Sequence, residues 1–106
     1  QPLLLLLFSC VVGPAVEELF FRQLLLHHLQ KRLPGLLSII LVGLVFALTH
    51  MHSLALSEWV SAVGYLGGGL AFSIIYVKGK ENIYYPLVVH MLGNSLSFII
   101  LAISSM

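Results

Sequence analysis

Three of the nine charged side chains in this chain, Glu17, Glu18 and Arg22, fall within six residues of a segment that carries no other formal charge from Leu3 to Leu26. A helix through that segment reads as membrane-spanning, so it would hold two carboxylates and a guanidinium at hydrocarbon depth. Each such group costs about 2.5 to 3.5 kcal/mol at a helix centre on the translocon scale, and that scale is the lenient one. Glu18 and Arg22 are four residues apart and can pair on one face, with the acid N-terminal to the base as the better order requires. Glu17 points about 100° away and has no partner nearby in sequence. An unpaired acid in such surroundings points to function.

The rest of the composition agrees with a membrane setting. The chain is 59% hydrophobic and 8% charged, against roughly 25% charged for soluble domains, too little to cover a water-facing surface. A net charge of +1 on scattered cations gives no electrostatic footprint for nucleic acid. A lone Cys10 excludes an internal disulfide and reads as lipid- or core-facing filler. The chain opens on Gln1 with no cationic stretch before its leucines, so the expectation is a piece of a longer membrane protein rather than a signal peptide.

Four helical spans are predicted, an all-α polytopic bundle forming one core domain over residues 1–106, with further transmembrane helices expected in the full-length protein. The first runs from Leu3 to Arg32, too long for one straight span, with Gly13-Pro14 as the natural kink or break. The second runs from Leu36 to His50 or His52 and the third from Glu58 or Trp59 to Val77. The fourth runs from Tyr84 to Ser104. Gly64 and Gly68, four apart on the third with Gly67 and Gly69 beside them, predict close packing of another helix there. Lys31, Arg32, Lys78 and Lys80 fall on one side of the bilayer, which the positive-inside tendency assigns to the cytoplasm of a cell membrane. Trp59 and Tyr84-Tyr85 read as interfacial belt residues.

Three polar sets then stand inside apolar runs: Glu17-Glu18 with Arg22, Phe46 with His50, and His90 with Asn94, the last two each four apart on one helix face. Taken singly, a buried histidine is more often a satisfied core residue and an intramembrane asparagine more often interhelical glue. Together, on three helices of a chain so poor in polar groups, they predict one shared cavity. His27 and His28 read as interface anchors beside Lys31. His52 lies about 200° round the helix from His50, so the two cannot both face one site while the helix continues.

In this order on successive hydrophobic segments, Glu-Glu-x-x-x-Arg, Phe-x-x-x-His and His-x-x-x-Asn resemble the CPBP family of intramembrane proteases. That family includes the type II CAAX prenyl endopeptidases and the Abi-type proteins linked to bacteriocin processing and immunity. The resemblance implies an intramembrane endopeptidase acting on a peptide substrate, prenylated (CAAX-type) or simply hydrophobic, within the lipid bilayer. It implies that Glu17 with His50 activates a water and that His90 with Asn94 stabilises the oxyanion. Glu18, Arg22 and Phe46 would support them, Arg22 by neutralising Glu18. Two alternatives stand beside this reading: a non-enzymatic bacteriocin-immunity or scaffold protein of the same fold, and a proton- or ion-translocating fragment.

The cofactor question stays open between none and a divalent metal such as Zn2+. Glu17, His50 and His90 are candidate ligands with an open fourth position, but there is no His-Glu-x-x-His signature, and metal-free glutamate chemistry is the preferred expectation. Counting along ideal helices also leaves a conflict of depth. Glu17 and His50 each lie roughly 21 Å from the turn that joins their helices, whereas His90 lies only about 9 Å from Tyr84 near that same side. Either the segment from Lys78 to Pro86 dips into the membrane, or one of the first two helices bends.

Overall fold

A computed structural model describes residues 2–105. Among the described residues there are four helical rods and no strand: α1 (Pro2–Leu29), α2 (Gly35–Thr49), α3 (Leu56–Lys78) and α4 (Tyr84–Ser104). Three of them, α1, α3 and α4, are long and apolar enough to cross a membrane. α2 is apolar but has only 15 residues, a rise of about 22 Å against the roughly 30 Å of a hydrocarbon core. The spans expected from sequence are therefore present, with the second one short. Its C-terminal His50 consequently stops at the depth of the middle of α1.

The polarity of the fold is inverted relative to a soluble protein. Leu3, Leu36, Val63, Leu92 and Leu101 are exposed, while Glu18, Arg22, Ser38, Ser73 and His90 are buried. Such an arrangement suits a lipid surround, in which leucine has nothing to gain by turning inward. The apolar part of the core is small, built from Phe21, Leu26, Val42, Phe46 and Tyr76.

α1 does not break at Gly13-Pro14. It runs on as one rod with two π-helical stretches, Phe8–Val12 immediately before that dipeptide and Leu19–Leu26 after it. Proline takes one N–H out of the ladder, and here the irregularity is absorbed as a change of helical register. The first half of α1 leans on α4 and the second half on α2.

The tightest helix contact is α2 on α3 at the predicted glycine run, but through Gly69 and not through Gly64 and Gly68. A Cβ on Gly69 would stand 3.2 Å from both Gly43 Cα and Phe46 Cβ, so Gly43 and Gly69 carry the close approach. Gly64 and Gly68 face the cavity described below: nothing packs within 4 Å of a Cβ on Gly64, and only Phe72 comes near one on Gly68. Spacing alone could not tell a helix contact from a cavity wall, since both want small residues.

The conflict of depth is resolved by the loop between α3 and α4. Glu81 pairs with His27 Nδ1 at 2.8 Å, so the loop sits level with His27 inside α1 and not with Lys31-Arg32 at its end. Glu17 Oε1 lies 3.3 Å from His90 Nε2, so the two stand at one level of the bundle. The loop's place one turn inside the end of α1 and the π-helical stretch Leu19–Leu26 between His27 and Glu17 both depart from the ideal-helix count. Lys80 and Glu81 take positive φ values of 59° and 61° to make the turn, and Asn82 Oδ1 accepts from the Tyr84 N–H to start α4. His27 is thus a register-setting partner as well as an interface residue, while His28 is turned back on the Leu24 carbonyl. The His52 backbone N–H donates to Glu58 Oε1 at the start of α3.

This packing predicts opposite outcomes for two neighbouring glycines. Gly69→Val should destabilise the protein by about 1 to 3 kcal/mol through overpacking. Gly67→Ala, with nothing within 4 Å of the added Cβ, should be neutral or stabilising by up to about 1 kcal/mol from helix propensity. Thermal unfolding in detergent micelles distinguishes them, and equal behaviour of the two variants would contradict the assigned α2–α3 contact.

Candidate active site

Arg22 is fully buried and is the hub of the polar interior. Its Nη1 lies 3.3 Å from Glu18 Oε2, and its Nη2 donates to the Gly69 carbonyl on α3 at 2.7 Å. The guanidinium carbon lies 5.0 Å from the centroid of Phe46 and 5.4 Å from that of Phe72, within the range of cation–π attraction. One charge on α1 is therefore held by α2 and α3 at once. Among the described residues Arg22 Nε and Glu18 Oε1 are buried without a hydrogen-bond partner.

Glu18 Oε2 also receives His90 Nδ1 from α4 at 2.7 Å. The other nitrogen of the same ring, Nε2, stands 3.3 Å from Glu17 Oε1. His90 is thus wedged between two successive carboxylates of α1. Glu17, which has no partner nearby in sequence, finds a second one across the bundle: its Oε2 is 2.8 Å from His50 Nε2.

His50 caps the C-terminus of α2, and its Nδ1 lies 2.6 Å from the Phe46 carbonyl, while Thr49 Oγ1 donates to that same carbonyl. Helix C-termini leave carbonyls without intrahelical donors, and this end lies at membrane depth, where water is scarce. The side chains of Thr49 and His50 supply the missing donors. A carbonyl only accepts, so His50 Nδ1 must carry a hydrogen. That leaves Nε2 turned towards the Glu17 carboxylate, 2.8 Å away.

Both imidazoles are also fixed by stacking. His50 lies against Tyr65 with centroids 4.4 Å apart at 23°, and His90 against Phe72 at 4.5 Å and 20°. Tyr65 and Phe72 are seven residues apart, two turns along one face of α3. Sequence reasoning missed both, and the available signal was the i, i+7 aromatic spacing beside the glycine run.

Glu17, His50, His90 and Asn94 line one cavity of about 450 Å³ together with Gly64, Tyr65 and Pro14. The structure therefore brings together the four residues singled out in the sequence. Asn94 is partly committed: its Nδ2 donates to the Ser9 carbonyl on α1 at 2.8 Å, which leaves one amide hydrogen and Oδ1 free of that bond. Among the described residues no set of three His, Cys, Asp or Glu side chains is disposed to hold a metal ion. Of the candidate ligand atoms, Glu17 Oε1 and His90 Nε2 stand 3.3 Å apart and Glu17 Oε2 and His50 Nε2 2.8 Å, against about 3.3 Å between ligand atoms round a tetrahedral zinc. Glu17, His50 and His90 are the residues that would hold such an ion, and no step is routed through a metal.

The chain matches the family model of the Rce1-like type II CAAX prenyl endopeptidases over residues 1–96. Among curated proteins it is 29% identical over 93 residues to the membrane-embedded CAAX protease MroQ of Staphylococcus aureus, covering 82% of this chain and 35% of that protein. It is 28% identical over 97 residues to a candidate membrane peptidase, YdiL, of Bacillus subtilis, covering 87% of this chain and 35% of that one. It spans about a third of the length of these relatives. No solved structure matches it.

Removing the hub should be costly. Arg22→Met takes the guanidinium from the buried Glu18 and leaves that acid to His90, a loss of about 3 to 5 kcal/mol. Arg22→Lys keeps the charge but not the fork that reaches Glu18 and Gly69 together, and should fall between the two. Unfolding in mixed micelles measures the series, and a wild-type midpoint for Arg22→Met would contradict the role given to this pair.

Proposed function

The chain belongs to the Rce1-like family of type II CAAX prenyl endopeptidases, and from that premise we propose that it is the catalytic core of an intramembrane endopeptidase in which Glu17 activates a water. The observation that carries the reading is the contrast between adjacent acids. The Glu18 side chain is fully buried against Arg22 and His90, whereas that of Glu17 is 30% exposed and lines the cavity between two imidazoles. A purely structural cluster accounts for Glu18 and Arg22. It gives no reason for a second carboxylate opening onto a cavity.

In this mechanism a water enters beside Glu17 with the scissile carbonyl of a peptide. Glu17 takes one proton from the water as the hydroxyl oxygen bonds to the carbonyl carbon. His50, locked by the Phe46 carbonyl and the Tyr65 ring, holds the carboxylate in place. The negative charge moves to the carbonyl oxygen, where the free amide hydrogen of Asn94 is a donor. His90 contributes a second donor when its ring carries both protons, with Glu18 balancing the charge. Collapse breaks the C–N bond, and the proton held on Glu17 passes to the leaving nitrogen. The substrate is a peptide whose hydrophobic or prenylated portion stays in lipid while the scissile bond reaches the cavity. Lys31, Arg32, Lys78 and Lys80 mark the cytoplasmic end in this reading. A Lys80→Cys variant labelled in intact cells by a membrane-impermeant thiol reagent would reverse that orientation.

Glu17→Gln is nearly isosteric. It should lower kcat for peptide cleavage by about 10²- to 10⁴-fold with expression and thermal stability close to wild type. Turnover that survives the change rules out Glu17 as the base. Activity should also persist after exhaustive chelation, and stoichiometric zinc lost together with activity would overturn the metal-free step.

A further inference from the structure

Position 14 explains why Asn94 is tied to Ser9. In the π-helical stretch of α1 the Gly13 N–H donates to the Phe8 carbonyl, five residues back. In the same register the next carbonyl, that of Ser9, waits for an N–H at position 14. Residue 14 is proline and has none. The Ser9 carbonyl is left over from the helix ladder at membrane depth, where an unsatisfied backbone group is expensive, and the Asn94 Nδ2 donates to it at 2.8 Å.

We infer that Pro14 is a positioning residue for the site: by withholding an N–H from the Ser9 carbonyl it reserves that carbonyl for Asn94 and so fixes the carboxamide over the cavity. A carboxamide is planar, so anchoring one Nδ2 hydrogen fixes the direction of the other and settles which end is nitrogen. Without the anchor the group can rotate and present Oδ1, an acceptor, where a donor is needed. Pro14 and Ser9 both line the cavity with Glu17 and Asn94, so the anchor and the proposed chemistry share one wall. Gly13 belongs to the same device. A Cβ there would stand 2.8 Å from the Phe8 carbonyl oxygen, so a side chain at 13 would push apart the π-register bond that leaves Ser9 next in line. The catalytic half of this inference rests on the endopeptidase reading, and the hydrogen-bond half does not.

The test is a double-mutant cycle of Pro14→Ala and Asn94→Ala in the full-length protein, read both by Tm and by peptide cleavage. Asn94→Ala alone orphans the Ser9 carbonyl and should lower the Tm by several degrees. In the Pro14→Ala background residue 14 has its own N–H for Ser9, so the same change should cost markedly less. An equal Tm loss in both backgrounds would overturn the inference. In cleavage, Pro14→Ala should lower kcat roughly ten- to a hundredfold through misorientation with KM little changed, and should have no further effect when Asn94 is already alanine. A wild-type kcat in Pro14→Ala, or the same fold loss with and without Asn94, would also overturn it. If no variant of the protein shows Glu17-dependent cleavage, the endopeptidase reading fails, and the Tm cycle still decides whether Pro14 and Asn94 act through one carbonyl.

Discussion

The bundle is built round a charge that cannot leave. Arg22 is fully buried, and a guanidinium at that depth is tolerable only where several groups hold it. Glu18 supplies the countercharge, the Gly69 carbonyl takes the second arm of the fork, and Phe46 and Phe72 lie within cation–π distance. These partners come from three helices, so satisfying Arg22 fixes how α1, α2 and α3 meet. Gly69 shows the consequence in backbone terms. It sits where α2 and α3 touch most closely and offers its carbonyl to Arg22 at the same crossing. Glu18 then hands the constraint to α4 through His90.

Depth is set separately from contact. α2 is short, so His50, which caps its C-terminus, reaches the level of Glu17. The α3–α4 loop is held inside the end of α1 by Glu81 and His27, which lifts His90 to the same level. Two local irregularities, a helix that ends early and a turn with two residues at positive φ, thus align groups that ideal helices would leave staggered. The carbonyls exposed by the early ending do not go unpaired, because Thr49 and His50 turn back on Phe46.

Within that frame the two acids of α1 divide. About 100° of rotation round α1 separates a carboxylate sealed against Arg22 from one that opens onto a cavity, so neighbouring residues of identical chemistry meet different surroundings. Aromatic rings on α3 keep both imidazoles from turning. The Ser9 carbonyl, in the π-helical stretch of α1, accepts from Asn94. Rigidity at each donor and acceptor is what the proposed water activation asks of the site, since misplacement by about an ångström can cost a hundredfold in rate.

Much of this was legible in the chain itself. Scarcity of charge identified a membrane bundle of about four helices, and helical spacing paired Glu18 with Arg22 and singled out Glu17, Phe46, His50, His90 and Asn94. Those are local or compositional signals, carried by periodicity and by the cost of burying charge. The packing of Gly43 on Gly69, the stacking of Tyr65 and Phe72, the His27–Glu81 register and the bond from Asn94 to Ser9 were not legible, and Gly64 and Gly68 pointed to the wrong surface. Each of these depends on the axial offset and rotation of one helix against another. Sequence spacing fixes which residues share a face; only the packed bundle decides which faces meet, and at what depth, because that is settled by shape and hydrogen-bond satisfaction summed over all four helices.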